Sequence, residues 1–307
     1  MRFCALLLAG ISLSTAALLN TRQVQNCSGR PEFCDRKYSN VSLIGAHDSG
    51  FVGPILDPRV NQELNVKAQL DAGIRWLEIQ VHVLNGVLSL CHTSCLELYA
   101  GSLAKYLSDV KTWLDSHPND VVSMILANAD RSNVTQYDAV FNATGLKKYA
   151  FIPETSPQPL SLDQWPTYRS LIAAGTRAVV FMDYRADEPK VPYILDEFKY
   201  YSETPYDTTD PNFAQCTIDR AATTGVSNSM YIMNHFLDTN VAGTGILIPD
   251  NVRDFQTNNA TGNGSIGAQA DLCVSLYNRP PNVVFVDFFN RGDVFRAQDN
   301  LNGIKRA

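Results

Sequence analysis

Four of the five histidines stand at, or directly after, the ends of short apolar runs: His47, His82, His92 and His235. Imidazole titrates near neutral pH, so two histidines in one site can take a proton from a nucleophile and give one to a leaving group. One histidine in such a position can equally be a hydrogen-bonded structural residue, but several that meet in one site favour chemistry. The sequence contains neither a Gly-x-Ser-x-Gly motif nor a His-Glu-x-x-His motif. These residues therefore favour acid–base catalysis by histidine.

The segment that ends at His82 carries the clearest pattern. Alternate side chains of an extended segment share a face, so Glu78, Gln80 and His82 lie on one side and the apolar residues between them lie on the other. A carboxylate, an amide and an imidazole in one row are costly inside an apolar core unless each has a polar partner. The row predicts the polar mouth of a site; the alternative is a buried hydrogen-bond network without turnover.

The elements that must position these residues are short strands. Apolar runs of four to seven residues, rich in Val, Ile and Phe and each followed by a polar residue, are typical of buried strands. Six strands are predicted, in the segments Val41–Ala46, Ile74–His82, Val121–Ala127, Ala178–Met182, Met230–Met233 and Val283–Val286. A further run, Val87–Leu90, is expected to fold back on the second strand through a turn at Asn85–Gly86.

The segments between these strands have apolar residues at helical spacing. Helices are predicted in the segments Gln62–Ala72, Ser102–Ser116, Pro166–Ala174 and Gly292–Leu301. Strands that alternate with helices indicate an α/β fold, and polar residues at the strand ends favour an irregular (β/α) TIM-type barrel. A doubly wound sheet is the rival, but no Gly-rich phosphate loop follows a strand. The segments Arg185–Pro211 and Ile248–Gly267 are expected to be loop insertions within one domain.

Residues 1–17 predict a signal peptide. The basic start Met1–Arg2 precedes the apolar run Phe3–Leu13, which is too short to span a bilayer, and small residues up to Ala17 offer a cleavage site. The remaining chain, residues 18–307, is expected to be a secreted, extracellular single domain. Six sequons predict a glycoprotein: Asn26, Asn40, Asn133, Asn142, Asn259 and Asn263.

Cysteine number fits the same compartment. Cleavage removes Cys4 and leaves six of the seven cysteines, and an even number in an oxidising compartment predicts disulfides. Closeness along the chain favours the first two of the following pairs, which leaves the third: Cys27–Cys34, Cys91–Cys95 and Cys216–Cys273. For the second pair, a metal site made with His92 is the alternative.

Charge narrows the range of partners. The chain carries 25 Lys and Arg against 31 Asp and Glu, a net charge of −6, and has no basic tract. Nucleic acid is therefore not an expected partner. No protein partner and no organic cofactor are predicted.

Three segments together resemble the catalytic X domain of phosphatidylinositol-specific phospholipase C. They are Ile44–Gly50, which reads Ile-Gly-Ala-His-Asp-Ser-Gly, Gly73–Gln80 followed by Leu90–His92, and Val284–Asn290, which reads Val-Phe-Val-Asp-Phe-Phe-Asn. The resemblance spans Tyr38 to Asp293 and is nearest to a secreted branch of fungal or plant type. It implies a PLC-like phosphodiesterase barrel that cleaves a phosphoinositide or related lipid head group, with transient contact to a membrane surface.

The resemblance also implies roles for individual residues. His47 would be the general base that deprotonates the inositol 2-hydroxyl, and Asp287 would hold it. His92 would be the general acid for the leaving diacylglycerol oxygen, with Asp48 as its carboxylate partner. Further candidates for substrate contact are Glu78, Gln80, His82, Asn128, Asp183 and His235.

Gln80 departs from both known branches of the family. Metal-free bacterial members have an arginine at this position, and calcium-dependent members have an acidic residue. Three explanations stay open: a weakly bound divalent cation such as Ca²⁺ or Mg²⁺, a substitute cation such as His82, or a site without activity. A metal would have four oxygen donors here: Asp48, Glu78, Gln80 and Asn128.

Two other functions remain as alternatives. One is a metal-dependent phosphodiesterase of the glycerophosphodiester or sphingomyelinase D type, which also pairs two histidines with acidic residues. The other is a catalytically silent barrel that binds a lipid or a glycan, since a fold alone does not imply activity.

Overall fold

The computed structural model describes residues 26–305, so the predicted signal peptide lies outside the described residues. The strands are β1 (Leu43–Ala46), β2 (Trp76–Leu84), β3 (Val87–His92), β4 (Leu98–Ser102), β5 (Val122–Asn128), β6 (Ala178–Met182), β7 (Ile194–Asp196), β8 (Tyr201–Glu203), β9 (Met230–Asn234), β10 (Asp238–Asn240), β11 (Leu247–Pro249) and β12 (Val283–Val286). The helices are α1 (Val66–Ala72), α2 (Leu103–Ser116), α3 (Val134–Thr144), α4 (Tyr168–Ala174), α5 (Glu197–Tyr200), α6 (Asp254–Thr257), α7 (Ile266–Tyr277) and α8 (Val294–Leu301). Within this part of the chain, no helix is long and apolar enough to cross a membrane.

Eight parallel strands curl into an irregular α/β barrel, which confirms the predicted fold class. Their order is β7-β6-β5-β2-β1-β12-β9-β8, and every neighbouring pair is parallel. The hairpin of β2 and β3 turns at Asn85 and Gly86, both with positive φ, as the sequence predicted. The hairpin extends β2 beyond the end of β1, so that β3 ends near the start of the loop that follows β1.

The segment Arg185–Pro211 is not a simple insertion, so that expectation was wrong. It contains β7 and β8, the two barrel strands that the sequence did not reveal, joined by the one-turn helix α5. Each of these strands has only three residues, too few for a recognisable alternation. The segment Ile248–Gly267 likewise includes α6 and the start of α7.

Alternation along the strands separates an outer layer from a filled interior. Outward-facing strand residues pack against the helices. From the helical side, α2 contributes six buried apolar residues to this layer. Inside, the Trp76 ring stacks on Phe181 at 5.6 Å and meets the rings of Tyr201 and Phe285 edge-on at 5.5 and 6.0 Å. Gly45 permits this packing, because a Cβ there would lie 2.6 Å from the Phe285 ring. The barrel is therefore packed at its centre, and the charged inward residues of the strands lie towards their carboxyl ends.

Three disulfides join the cysteine pairs expected from their spacing: Cys27–Cys34, Cys91–Cys95 and Cys216–Cys273. The second closes a loop around His92, and the third ties the β8–β9 connection to α7. Since Cys91 and Cys95 are bonded to each other, they do not form the alternative metal site.

The size of the closed loop predicts how much each disulfide stabilises the fold. Loop-closure entropy gives about 2 kcal/mol for the short Cys91–Cys95 loop and about 4 kcal/mol for the Cys216–Cys273 loop. We expect replacement of Cys216 and Cys273 by Ser to lower the free energy of unfolding about twice as much as the same replacement of Cys91 and Cys95. Urea denaturation of the two variants measures this, and equal losses would contradict the entropic account.

Candidate functional site

His47 and Asp287 form a hydrogen-bonded pair at the mouth of the barrel. They directly follow the paired strands β1 and β12, and both point inward. His47 Nδ1 donates to Asp287 Oδ1 at 2.8 Å, and the Asn61 amide donates to both oxygens of this carboxylate at 3.1 and 3.3 Å. The imidazole lies flat on the Phe236 ring, with 3.5 Å between centroids. This packing fixes the ring and leaves Nε2 towards the mouth.

The Asp48 carboxylate lies between the two imidazoles that the sequence singled out. Its Oδ2 atom is 3.6 Å from His47 Nε2 and 3.3 Å from His92 Nε2. Asp48 has a φ of +42°, and this left-handed turn after β1 lets His47 and Asp48 face the same site. The side chain is 1% exposed, so its charge depends on these neighbours.

His92 lies beside Asp48 with an acceptor next to each ring nitrogen. Its Nδ1 donates to the backbone carbonyl of Arg59 at 2.8 Å, while its Nε2 faces the Asp48 carboxylate. Both ring nitrogens therefore face acceptors, a situation that imidazolium satisfies fully. The ring also stacks on Phe51 at 4.9 Å.

Gln80 contacts the site through both ends of its carboxamide. Nε2 donates to Asp48 Oδ2 at 3.0 Å, and Oε1 accepts from the backbone N–H of Thr93 at 3.0 Å. The amide is thus bonded to protein groups on both sides.

Buried carboxylates raise the basicity of His47. Burial by itself lowers the pKa of His47, but the carboxylates of Asp287, Asp48 and Glu78 together raise it to about 10. Glu78 Oε2 lies 3.9 Å from His47 Nε2 and has no hydrogen-bond partner within the described chain. Burial raises the pKa of Glu78 to about 8, against the opposing effect of the nearby His47. Burial likewise raises the pKa of Asp48.

The opposite wall of the mouth holds residues that the sequence did not reveal. Glu203, inward at the end of β8, forms an ion pair with Arg220 and accepts from the Asn234 amide at 3.1 Å. The guanidinium also lies over the Tyr206 ring, 4.7 Å from its centroid. Burial lowers the pKa of Arg220, but the carboxylates of Glu203, Glu197 and Glu78 outweigh this and raise it. Alternation along β9 marks Asn234 as inward, whereas no sequence signal pointed to Arg220.

Asp183 reaches the same mouth from the end of β6. Its Oδ1 accepts backbone N–H groups of Asn128 and Tyr184 at 2.8 and 2.7 Å. Burial raises the pKa of Asp183 to about 6, and the charge of Arg220 opposes this. Asp183 is thus an inward residue with one oxygen committed to the backbone.

Asn128 is not part of the mouth, contrary to expectation. It is paired in register with Val81, whose side chain packs outward, so its side chain also faces the helical layer. Its amide donates to the carbonyls of Ser132 and Tyr184 and accepts from the Tyr137 hydroxyl, at 2.9 to 3.0 Å. Asn128 therefore organises a loop and offers no free oxygen.

His235 and His82 also lie apart from the two central histidines. His235 shares the outward face of Met233, is fully buried, and hydrogen-bonds Gln269 Oε1 at 2.6 Å and the Thr257 carbonyl at 2.8 Å. His82 pairs with Asp130 at 2.9 Å. His235 is therefore not a substrate contact, which corrects that expectation, whereas His82 leaves its Nε2 atom without a partner within the described residues and stays a predicted contact.

Two of the four expected oxygen donors do not fit a cation site. Gln80 turns its oxygen to Thr93 and its N–H group to Asp48, and Asn128 faces the helices. Only Asp48 and Glu78 remain, so protein oxygens alone do not complete the coordination shell of Ca²⁺ or Mg²⁺. Within residues 26–305, no group of three or more His, Cys, Asp or Glu side chains is arranged to hold a metal ion.

Comparisons with known proteins find the same fold and family. The family model "PI-PLC X 1" matches residues 33–302. A "PI-PLC X domain-containing protein 1" of Arthroderma benhamiae is 50% identical, over 98% of this chain and 96% of its own length. A second protein of that fungus, named "Uncharacterized secreted protein", is 42% identical over 93% of this chain and 65% of its own length.

Solved structures of bacterial enzymes resemble the barrel. The phosphatidylinositol-specific phospholipase C of Listeria monocytogenes superposes with a TM-score of 0.56 at 13% identity, over 91% of this chain and 97% of its own. A mutant of the Staphylococcus aureus enzyme gives a TM-score of 0.57 at 12% identity, over 88% and 94% of the two chains. At these identities the likeness concerns the fold.

The charges around His47 predict an unusually basic imidazole. We expect its pKa to lie well above the ordinary value of about 6.5. Asp287→Asn should lower it, because the neutral amide no longer stabilises the imidazolium. NMR titration of the imidazole nitrogens measures both values, with the His117 curve as a control that should be the same in both proteins. A wild-type His47 that titrates at the ordinary value would contradict this electrostatic picture.

Proposed function

Because this chain belongs to the phosphatidylinositol-specific phospholipase C X-domain family, we propose that it is a phosphodiesterase-like hydrolase that cleaves a phosphoinositide-type lipid by two-histidine acid–base chemistry. One observation carries the proposal. Nε2 atoms of His47 and His92 approach the same oxygen of Asp48, at 3.6 and 3.3 Å. A phosphodiester beside Asp48 could therefore reach both imidazoles.

The proposed reaction divides two proton transfers between the histidines. His47, once deprotonated, takes the proton of the attacking ring hydroxyl, and Asp287 stabilises the imidazolium that forms. The hydroxyl oxygen forms a bond to phosphorus, and the bond from phosphorus to the glycerol oxygen breaks. His92 gives its Nε2 proton to that oxygen, so the products are a cyclic phosphate and diacylglycerol.

Charge on the transferring phosphate needs a positive partner. Gln80 is neutral, and its amide is bonded to Asp48 and Thr93. The His92 imidazolium supplies one positive charge beside Asp48. Arg220 supplies another across the mouth, where its charge acts on Glu78 and Asp183.

The proposal competes with two alternatives. A metal-dependent phosphodiesterase would have Asp48 and Glu78 as its protein ligands here. Activity that EDTA abolishes and Mg²⁺ restores would favour that alternative. A non-catalytic binding barrel predicts lipid binding that survives loss of both histidines, with no turnover by the wild type.

We also propose that the protein is secreted and glycosylated. A relative at 42% identity is named a secreted protein, and the three disulfides fit an oxidising compartment. Five of the six sequon asparagines have exposed side chains, whereas Asn259 is partly buried.

A membrane surface fits the rim beside His92. Leu56, Leu96 and Val252 have 86%, 100% and 82% of their surface exposed. Their loops touch one another: Arg59 donates to the carbonyl of Glu97 at 3.1 Å, and the Asn251 amide donates to that of Ile55. The backbone carbonyl of Arg59 also accepts a hydrogen bond from His92 Nδ1. The apolar rim therefore adjoins the proposed acid.

The first test is turnover of phosphatidylinositol, followed by ³¹P NMR of the products with and without calcium. We expect a cyclic phosphate product, and a loss of about two to four orders of magnitude in kcat for His47→Ala and for His92→Ala. His117→Ala is the matched control, because His117 stacks on Trp113 at the far end of α2. Wild-type turnover in the double variant His47→Ala, His92→Ala would refute the proposed chemistry.

The second test is partition onto phosphatidylcholine vesicles. Replacing Leu56, Leu96 and Val252 together by Ser removes three insertable side chains of about 1 kcal/mol each. We expect the partition coefficient to fall by about a hundredfold. A control triple variant at other exposed apolar positions, Ile152, Val274 and Leu276, should bind as the wild type does. Equal losses in both triple variants would assign no special role to the rim.

A further inference from the structure

The side-chain amide of Gln80 lies between two hydrogen-bond partners of opposite kind, Asp48 and Thr93. The Asp48 carboxylate can only accept a hydrogen bond, and the Thr93 backbone N–H can only donate one. The amide nitrogen must therefore face Asp48 and the amide oxygen must face Thr93, at 3.0 Å each. The partners themselves fix the orientation of this amide.

Each end of the amide holds a different part of the site. The Asp48 oxygen that accepts from Gln80 is the one nearest to both imidazoles. Thr93 directly follows His92 within the loop closed by Cys91 and Cys95.

The backbone of that loop is unusual. Thr93 has a φ of +57°, in the left-handed region that β-branched residues seldom adopt. A hydrogen bond from its N–H to Gln80 holds the backbone directly after His92 in this conformation.

We propose that Gln80 is a positioning residue that couples Asp48 to the His92 loop and so aims the proton donor; this rests on the proposed function. Gln80 acts through its two neighbours and contacts neither the phosphate nor a cation. An arginine or lysine could donate to Asp48 but could not accept from Thr93. A glutamate could accept from Thr93 but would set a second negative charge against Asp48.

This chemistry allows the two bonds to be separated. Gln80→Glu keeps the acceptor for Thr93 and loses the donor to Asp48, whereas Gln80→Leu loses both at similar size. We expect slow hydrogen exchange at the Thr93 amide in the wild type and in Gln80→Glu, and exchange at least tenfold faster in Gln80→Leu. Thr93→Gly keeps the N–H and relieves the left-handed strain, so its position-93 amide should stay protected.

Kinetics then tests the positioning role. With phosphatidylinositol as substrate, we expect kcat to fall about tenfold to a hundredfold in both Gln80 variants, while KM changes less than threefold. A residue that bound the phosphate of the substrate before reaction would raise KM instead, and a residue needed only for folding would lower Tm in step with kcat. Near-normal kcat in Gln80→Leu, with the Thr93 amide unprotected, would overturn the proposal.

The two measurements keep the two proposals apart. Unchanged protection of Thr93 in Gln80→Leu overturns the bridge, whatever the activity. A wild type that fails to cleave any phosphoinositide removes the proposed reaction, and with it the positioning role, although the exchange pattern would still report on the bridge.

Discussion

The buried carboxylate of Asp48 is the group around which the site is built. Burial disfavours its charge, and two imidazoles and the Gln80 amide offset that cost. Each of them is held by a further contact: His47 by Asp287, His92 by the Arg59 carbonyl, and the amide of Gln80 by Thr93. His47, His92 and Gln80 all contact Asp48 Oδ2. A substitution that removes one of these further contacts is therefore expected to affect both imidazoles through that oxygen atom.

The filled centre of the barrel explains why these groups meet where they do. Trp76 and the rings packed on it fill the centre, and the charged inward residues lie beyond that layer. Glu78 and Gln80 are the next inward positions of β2, and the sequence predicted this from strict alternation along a long strand. The same rule, applied along β5 and β9, marks Asn128 and His235 as outward residues. Position at a strand end proved insufficient, because neighbouring residues at that end face opposite layers.

Other parts of the site could not be predicted from local sequence patterns. β7 and β8 have three residues each and owe their conformation to pairing with β6 and β9, so Glu203 carried no recognisable signal. Arg220 lies in an irregular segment, and its ion pair with Glu203 spans 17 positions. The bond between Gln80 and Thr93 depends on a left-handed residue, which no spacing of residue types reveals. The histidine pair and its two aspartates were predictable because each sits in a short motif. Two disulfides were predictable from closeness along the chain, and the third from the two cysteines that remained.

The distribution of charge around the mouth bears on which head group the proposed reaction would accept. Asp48, Asp287 and Glu78 raise the basicity of His47, which aids proton removal but repels an anionic substrate. The wall near Arg220 adds Glu203, and Asp238 lies close enough to His47 and Asp287 to interact with both. Carboxylates at these positions can accept hydrogen bonds from ring hydroxyls, whereas each further phosphate on the ring would meet negative charge at short range. Under the proposed function, the site therefore favours a polyhydroxyl head group without additional phosphates, and it relies on Arg220 and the His92 imidazolium for the one phosphodiester that reacts.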